Sequence, residues 1–171
     1  MDTAREYSEM MGNKYKRAVI TPLLSAWEFM NLPRQSSQEI DLKHLNKMAI
    51  NRKWSLKIDF SVILKDYKTA IVITDKDQNI DFTSSGFERM TGYNNQEVKG
   101  KNPNFLQGVN TDKATSQIIR NAISELKPVS AVIQNYKKDG TPYYCEVNIQ
   151  PVFNRKNELV NFIAVENAID L

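Results

Sequence analysis

A single cysteine, Cys145, and a single histidine, His44, are the scarcest chemistry in this chain of 171 residues. One thiol cannot close an intramolecular disulfide. One imidazole with no second Cys or His near it cannot anchor a common zinc site, which sets aside structural metals and a redox pair. Hydrolysis of the Ser/His/Asp or Cys/His kind needs a histidine beside a nucleophile, and His44 lies in a separate helical segment. The expectation is therefore a protein with no catalytic residues and no enzyme activity. No apolar run approaches the roughly 18 residues that would span a bilayer, and the N-terminus, with Asp2, Arg5, Glu6 and Glu9, has no signal-peptide core. That points away from a membrane and toward the cytoplasm. Nor is charge of one sign concentrated anywhere. The net charge is +3, and Lys and Arg alternate with Asp and Glu, so no stripe reads as a footprint for nucleic acid.

What is present is ordinary globular material: 41% hydrophobic and 25% charged residues, enough for one domain with a core plus an added segment. Two halves differ in pattern. Up to about Asp59 the apolar residues recur at helical spacing, and afterwards short strands and helices alternate with turn signals. Ile20, Leu23, Leu24, Trp27 and Met30 form one helical stripe that ends before Pro33, with Pro22 suited to its first turn. Leu42, Leu45, Met48 and Ala49 form another after the loop at Gln35 to Ser37. Residues 1 to 15 read as a polar helix or a frayed tail. The division expected is a helical N-terminal extension over 1–59 and a second domain over 60–171.

In the second half, Ala70 to Thr74 reads as a buried strand, Asp75 to Asn79 as a turn and Ile80 to Thr83 as a second strand. Ser85 with Glu88 matches a capping box opening a short helix to Met90, and Asn94 caps another. Asn110 or Thr111 caps the longest helix, whose Ala114, Ile118, Ile119, Ala122, Ile123 and Leu126 line one face before Pro128 stops it. A strand from Val129 to Lys137 turns at Asp139-Gly140 and returns through Tyr143 to Phe153. A last turn, Asn154 to Glu158, leads into a strand from Leu159 to Glu166. Consecutive hairpins make a five-stranded antiparallel sheet with short helices on one face, an α+β architecture.

Local motifs narrow the choice. Phe87-Glu-Arg-Met-Thr-Gly-Tyr93 resembles a segment common in PAS domains, and Gly100-Lys-Asn-Pro-Asn-Phe-Leu-Gln-Gly108 resembles the G-x-N-C-R-F-L-Q-G signature of the light-oxygen-voltage (LOV) type. Asn135 to Cys145 and Phe162-Ile-Ala-Val-Glu166 look like the LOV stretches N-Y-x-K-x-G-x-x-F-W-N and F-I-G-V-Q. The resemblance implies a PAS fold and a sensory, signalling role. It also implies an FMN site in which blue light joins a cysteine to the flavin C4a. Carried over by resemblance, Asn102 and Gln107 match residues on the ribityl chain, Arg120 one of two phosphate-binding arginines, and Asn135 one of two asparagines at the pyrimidine edge. Phe162 opens the last matched stretch. Four positions depart from the pattern: Pro103 stands for the adduct cysteine, Asn104 for the other arginine, Cys145 for the second asparagine and Glu166 for the glutamine near N5 and O4.

The residues have a reading of their own. Strand positions two apart share a face, so Asn135 falls in line with Ala131 and Ile133, Cys145 with Val147 and Ile149, and Glu166 with Phe162 and Ala164. Polar groups set among inward apolar positions need partners, and either a ligand edge or a buried water supplies them. Asn102-Pro103 also reads as the N-cap and first residue of a short helix. Arg120 also reads as a solvated arginine and Cys145 as a small core hydrophobe. Glu166 is either a neutral buried carboxyl, able to donate, or a strand-end glutamate reaching water or a lysine. Trp27 and Trp54 are either packing residues or electron donors to a flavin.

Two function classes follow. The first is a sensory domain with a flavin pocket that cannot form the photoadduct. The second is a ligand-free PAS module that dimerises or binds a partner protein. An enzyme using the flavin lacks a substrate-site constellation. The partner expected is a second copy of the chain, a homodimer through the N-terminal helices and the sheet, or a signalling protein. An amphipathic helix of this length is only marginally stable alone, so deleting residues 1–59 is expected to lower solubility or change the oligomeric state in light scattering. An unchanged stable monomer would remove the basis for a docked extension.

Overall fold

The computed structural model describes residues 36–170. The unit that holds the sheet starts at Ser36, and the stripe around Leu23, Leu24, Trp27 and Met30 lies outside the described residues. Helix α1, Ser37–Asn51, opens on a reciprocal capping box in which the Ser36 hydroxyl accepts from the Glu39 amide and the Glu39 carboxylate accepts from the Ser36 amide. A one-turn helix α2, Phe60–Ile63, follows behind an Asp59 cap. Then come β1 (Ala70–Thr74), β2 (Ile80–Thr83), α3 (Ser85–Thr91), α4 (Asn95–Val98), a 3-10 turn η1 (Pro103–Leu106) and α5 (Lys113–Ser124). Three long strands close the domain: β3 (Val129–Tyr136), β4 (Pro142–Phe153) and β5 (Leu159–Ile169).

The five strands form one sheet in the order β2-β1-β5-β4-β3, with every neighbouring pair antiparallel. Each hairpin turn is held by its own side chain. Asp75 Oδ1 accepts from the amides of Asp77 and Asn79, Asp139 Oδ1 from Thr141, and Asn154 Oδ1 from Lys156 and Glu158. Asx turns of this kind set a register without help from the core. The last strand continues past the expected end at Glu166 to Ile169, because β4 offers partners as far as Tyr144.

Both faces of the sheet carry a core. Ala70 and Val72 of β1 point inward with Phe87, Met90, Val98 and Leu106 of the helical layer. Ile71 and Ile73 point the other way, against Leu45, Trp54 and Phe60. This is why β1 reads as an unbroken apolar run: a strand covered on both faces has no polar alternation. The α1 stripe is confirmed at its centre, where Leu45 is 0% exposed. In the outer core Asn161 is wholly buried yet satisfied, accepting from Trp54 Nε1 at 3.1 Å and donating to the Thr74 carbonyl at 2.7 Å.

Three local expectations need correction. No capping box forms at Ser85. The N-cap of α3 is Ser84, whose hydroxyl is taken by the Ile71 amide of β1, and the Ser85 amide donates instead to Asp41 Oδ2 of α1 at 2.8 Å. Strand packing captured the hydroxyl, and a distant carboxylate took its place. Helix α5 is capped by Asp112, because the Thr111 hydroxyl donates to the Gln134 carbonyl across the loop. The α5 face is also narrower than expected: Ile119 and Ile123 turn inward, whereas Ile118 is 58% exposed and Leu126 lies beyond the helix end with φ 55°.

Asp41 is buried and joins α1 on the outer face to α3 on the inner face. Its replacement, Asp41→Ala, is expected to lower stability by about 1–2 kcal/mol, the usual loss of a helix cap. Urea unfolding should show this as a lower midpoint at unchanged slope.

Candidate functional site

The inner face of the sheet and the segment from η1 to α5 enclose a cavity. Its sheet wall is built from alternate residues of four strands, with Val72 of β1, Ile133 of β3, Val147 of β4 and Ala164 of β5 among them. The helical wall carries Leu106 of η1 and Ile119 and Ile123 of α5. About 90 Å³ of the interior is open to water centres, several times the roughly 10–15 Å³ that a single water requires. One buried water therefore does not account for the space, which has room for part of a small molecule with apolar faces.

Eight of the nine positions singled out from the sequence meet here: Asn102, Pro103, Asn104, Gln107, Asn135, Cys145, Phe162 and Glu166 all line the cavity. Arg120 does not. It follows Ile119 on α5, about 100° further round the helix, so with Ile119 facing in, Arg120 is exposed and donates to Gln117 Oε1 at 3.1 Å. Asn102 has the local role expected of it, its side chain accepting from the Asn104 amide at 3.0 Å and capping η1 with Pro103 in the first turn. Gln107 Nε2 donates to Asn104 Oδ1 at 3.0 Å. Both residues keep further polar capacity, since each of these bonds uses only part of an amide. The sequence reading missed Val72, Thr74 and Gln78 as lining residues; Val72 and Thr74 share a face by the period of two, but an unbroken apolar strand does not show which face that is.

The polar end of the cavity lies on β3, β4 and β5. Glu166, 7% exposed, sits across from Val147 of β4 and Ala70 of β1, and its nearest side-chain polar contact is a weak one, Cys145 Sγ to Oε2 at 4.0 Å. It is the only carboxylate among the lining residues, which include no Lys or Arg. Burial pushes its pKa up from 4.5 to about 7. Burial also pushes the Cys145 thiol well above its ordinary range, with the Glu166 and Glu146 charges adding to it, so the sulfur stays a neutral thiol. Tyr143, next to Cys145 on the same face, is raised by burial and then by Cys145 and Glu166. Its cross-strand partner Asn135 pulls the other way but makes no hydrogen bond of acceptable geometry to the hydroxyl.

Comparison with known proteins adds three findings. Residues 68–167 match the PAS domain family. Among curated proteins, a blue-light photoreceptor of Listeria monocytogenes serovar 1/2a is 38% identical over 116 residues, covering 64% of this chain and 46% of that protein. A blue-light-activated histidine kinase of Brucella canis is 38% identical over 95 residues, covering 56% of this chain and 19% of the kinase. The chain thus matches less than half the length of these relatives. Among solved structures, the dark structure of the blue-light photoreceptor Aureochrome1 LOV superposes with a TM-score of 0.61 at 29% identity, covering 68% of this chain and 86% of that one. A LOV domain from a blue-light activated histidine kinase of Erythrobacter litoralis gives 0.56 at 27% identity, covering 60% of this chain and 96% of that domain.

The carboxyl of Glu166 generates a pH test. An acid whose folded pKa is raised holds its proton after the unfolded chain has lost it, so stability falls as pH rises from about 4.5 to 7 and is level beyond. The shift corresponds to a loss of about 3 kcal/mol across that window. In ligand-free protein, Glu166→Gln is expected to remove this loss, with a larger gain in urea midpoint over wild type at pH 8 than at pH 5. An equal gain at both pH values would show that Glu166 ionises freely in the fold.

Proposed function

Because the chain belongs to the PAS domain family and its relatives and structural neighbours make it a domain of LOV type, we propose that it is a sensory domain whose cavity holds a flavin and which cannot make a cysteinyl adduct. The observation that carries this reading is the convergence of Asn102, Gln107, Asn135, Cys145 and Glu166 around an apolar slot. Apolar walls on both sides suit a planar ring, and polar groups at one end suit its hydrogen-bonding edge. A flavin held there would supply blue-light absorption.

The chain's own residues have distinct tasks in this reading. Asn135, Cys145 and Glu166 orient the ring edge, Phe162 packs beside it, and Asn102 and Gln107 hold the side chain. Arg120, exposed on α5 and outside the cavity lining, would hold a phosphate only if its side chain turned from Gln117. Glu166 is neutral below about pH 7 and then donates, whereas its ionised form only accepts. Adduct formation fails for a plain reason. Pro103 on the helical wall has no thiol, and the chain's one cysteine is on β4 in the sheet wall, buried and protonated.

Glu166 also suggests how a signal leaves the site. It lies on the inner face of β5, while Ile163 and Val165 of the same strand pack in the outer core with Leu45 of α1. A change in hydrogen bonding at residue 166 thereby reaches α1, and we assign to the N-terminal extension, residues 1–59, contacts with a second copy or a signalling partner. Among the described residues no helix is long and apolar enough to cross a membrane.

The purified protein is expected to be yellow, with the structured blue band of oxidised flavin, and illumination should not bleach that band reversibly. Pro103→Cys is expected to confer reversible bleaching with a shorter-wavelength band. A flavin-loaded variant that stays unbleached would refute the placement of residue 103 over the ring. A protein that takes up no flavin would make the ligand-free interaction module the better reading.

A further inference from the structure

The Tyr143 side chain is 9% exposed, and its hydroxyl has no hydrogen-bond partner among the described residues. A buried hydroxyl without a partner is destabilising, and phenylalanine would fill the same space without that penalty. The surroundings show what the group is available for. The ring packs with Ile133, Cys145 and Val147, all of which line the cavity. Asn135 is its cross-strand partner, and Cys145 and Glu166 are near enough for their charges to act on it. Tyr143 is not itself one of the lining residues, but it borders the polar end of the slot, beside Asn135, Cys145 and Glu166, which are. Its phenol keeps its proton, because burial and the neighbouring acids both oppose ionisation. It is therefore available as a donor, and a far better one than the Cys145 thiol two residues away.

We propose that Tyr143 is a binding residue of this cavity, donating a hydrogen bond from its hydroxyl to a ring carbonyl or ring nitrogen on the edge of a planar heteroaromatic ligand. The assignment rests on the flavin reading above and deepens it. With Asn135 beside it, the hydroxyl makes this end of the slot rich in donors. A ligand whose edge offers acceptors is favoured over one that offers only donors or only carbon. The hydroxyl also lies apart from the outer core, where the buried polar side chain Asn161 is satisfied within the protein.

The test is Tyr143→Phe in the full chain, with FMN titrated into ligand-free protein and followed by quenching of flavin fluorescence, alongside the thermal midpoint of the ligand-free form. Loss of one hydrogen bond to a buried acceptor is expected to raise the FMN dissociation constant roughly tenfold. The ligand-free midpoint should be unchanged or higher, because the variant removes an unsatisfied group. That combination separates a binding role from a structural one. An unchanged FMN affinity would overturn the proposal, since a water or a protein group would then satisfy the hydroxyl. A ligand-free midpoint several degrees lower would overturn it as well, by showing that the hydroxyl stabilises the fold. If wild-type protein binds no FMN while remaining folded, the flavin reading fails and this assignment falls with it.

Discussion

The pairing of β5 with β1 on one side and β4 on the other is the constraint on which the rest of the structure depends. It joins the N-terminal hairpin to the C-terminal one and makes β5 the middle strand of five. Strand alternation then gives β5, like β1, one set of residues for each face. Phe162, Ala164 and Glu166 face the cavity, while Asn161, Ile163 and Val165 face the core beneath α1. A slip of one residue would exchange the two sets and place a carboxyl in the outer core. The register is held at the turn by Asn154, whose side chain accepts from two amides and whose amide donates to the Glu158 carbonyl.

The two faces of the sheet treat buried polar groups differently, and that difference separates scaffold from site. On the outer face Asn161 binds Trp54 and the Thr74 carbonyl, and Asp41 caps α3. These groups are satisfied within the protein and tie α1 to the sheet and to the inner helical layer. At the inner face Glu166 has only a sulfur contact and the Tyr143 hydroxyl has no partner. The Ser85 hydroxyl at the start of α3 is also unpartnered among the described residues, so the contrast holds for the sheet residues at the cavity and not for every buried polar group of the inner layer.

Glu166 concentrates the consequences. A carboxyl buried without a cation is neutral over a range in which exposed glutamates are ionised, so its hydrogen-bonding character changes near neutral pH. Position on β5 gives that change a mechanical outlet, because the neighbouring residues of the same strand belong to the outer core. The cavity face and the face packed beneath α1 are therefore opposite sides of one strand.

Much of this was legible in the chain itself. The alternation through β3, β4 and β5, the Asx turns and the Asn94 and Asn102 caps are local, and local preferences agreed with the final fold. The same alternation placed Asn135, Cys145 and Glu166 on one face before their mutual contacts were known. What failed was whatever depended on a distant partner. Ser85 had the residues for a capping box, but β1 claimed the neighbouring Ser84 hydroxyl and Asp41, 44 positions earlier, supplied the cap. Thr111 gave up its capping role to Gln134 on β3. Arg120 shares a helix with cavity residues, and only the rotation of α5 set by Ile119 and Ile123 left it outside. The unpartnered state of the Tyr143 hydroxyl belongs to the same class, for a tyrosine in an inward strand position normally finds a partner. Period and turn chemistry act over a few residues and can be read in order along the chain. Which partner a buried polar group finds is settled by packing across the sheet, and only the tertiary structure decides it.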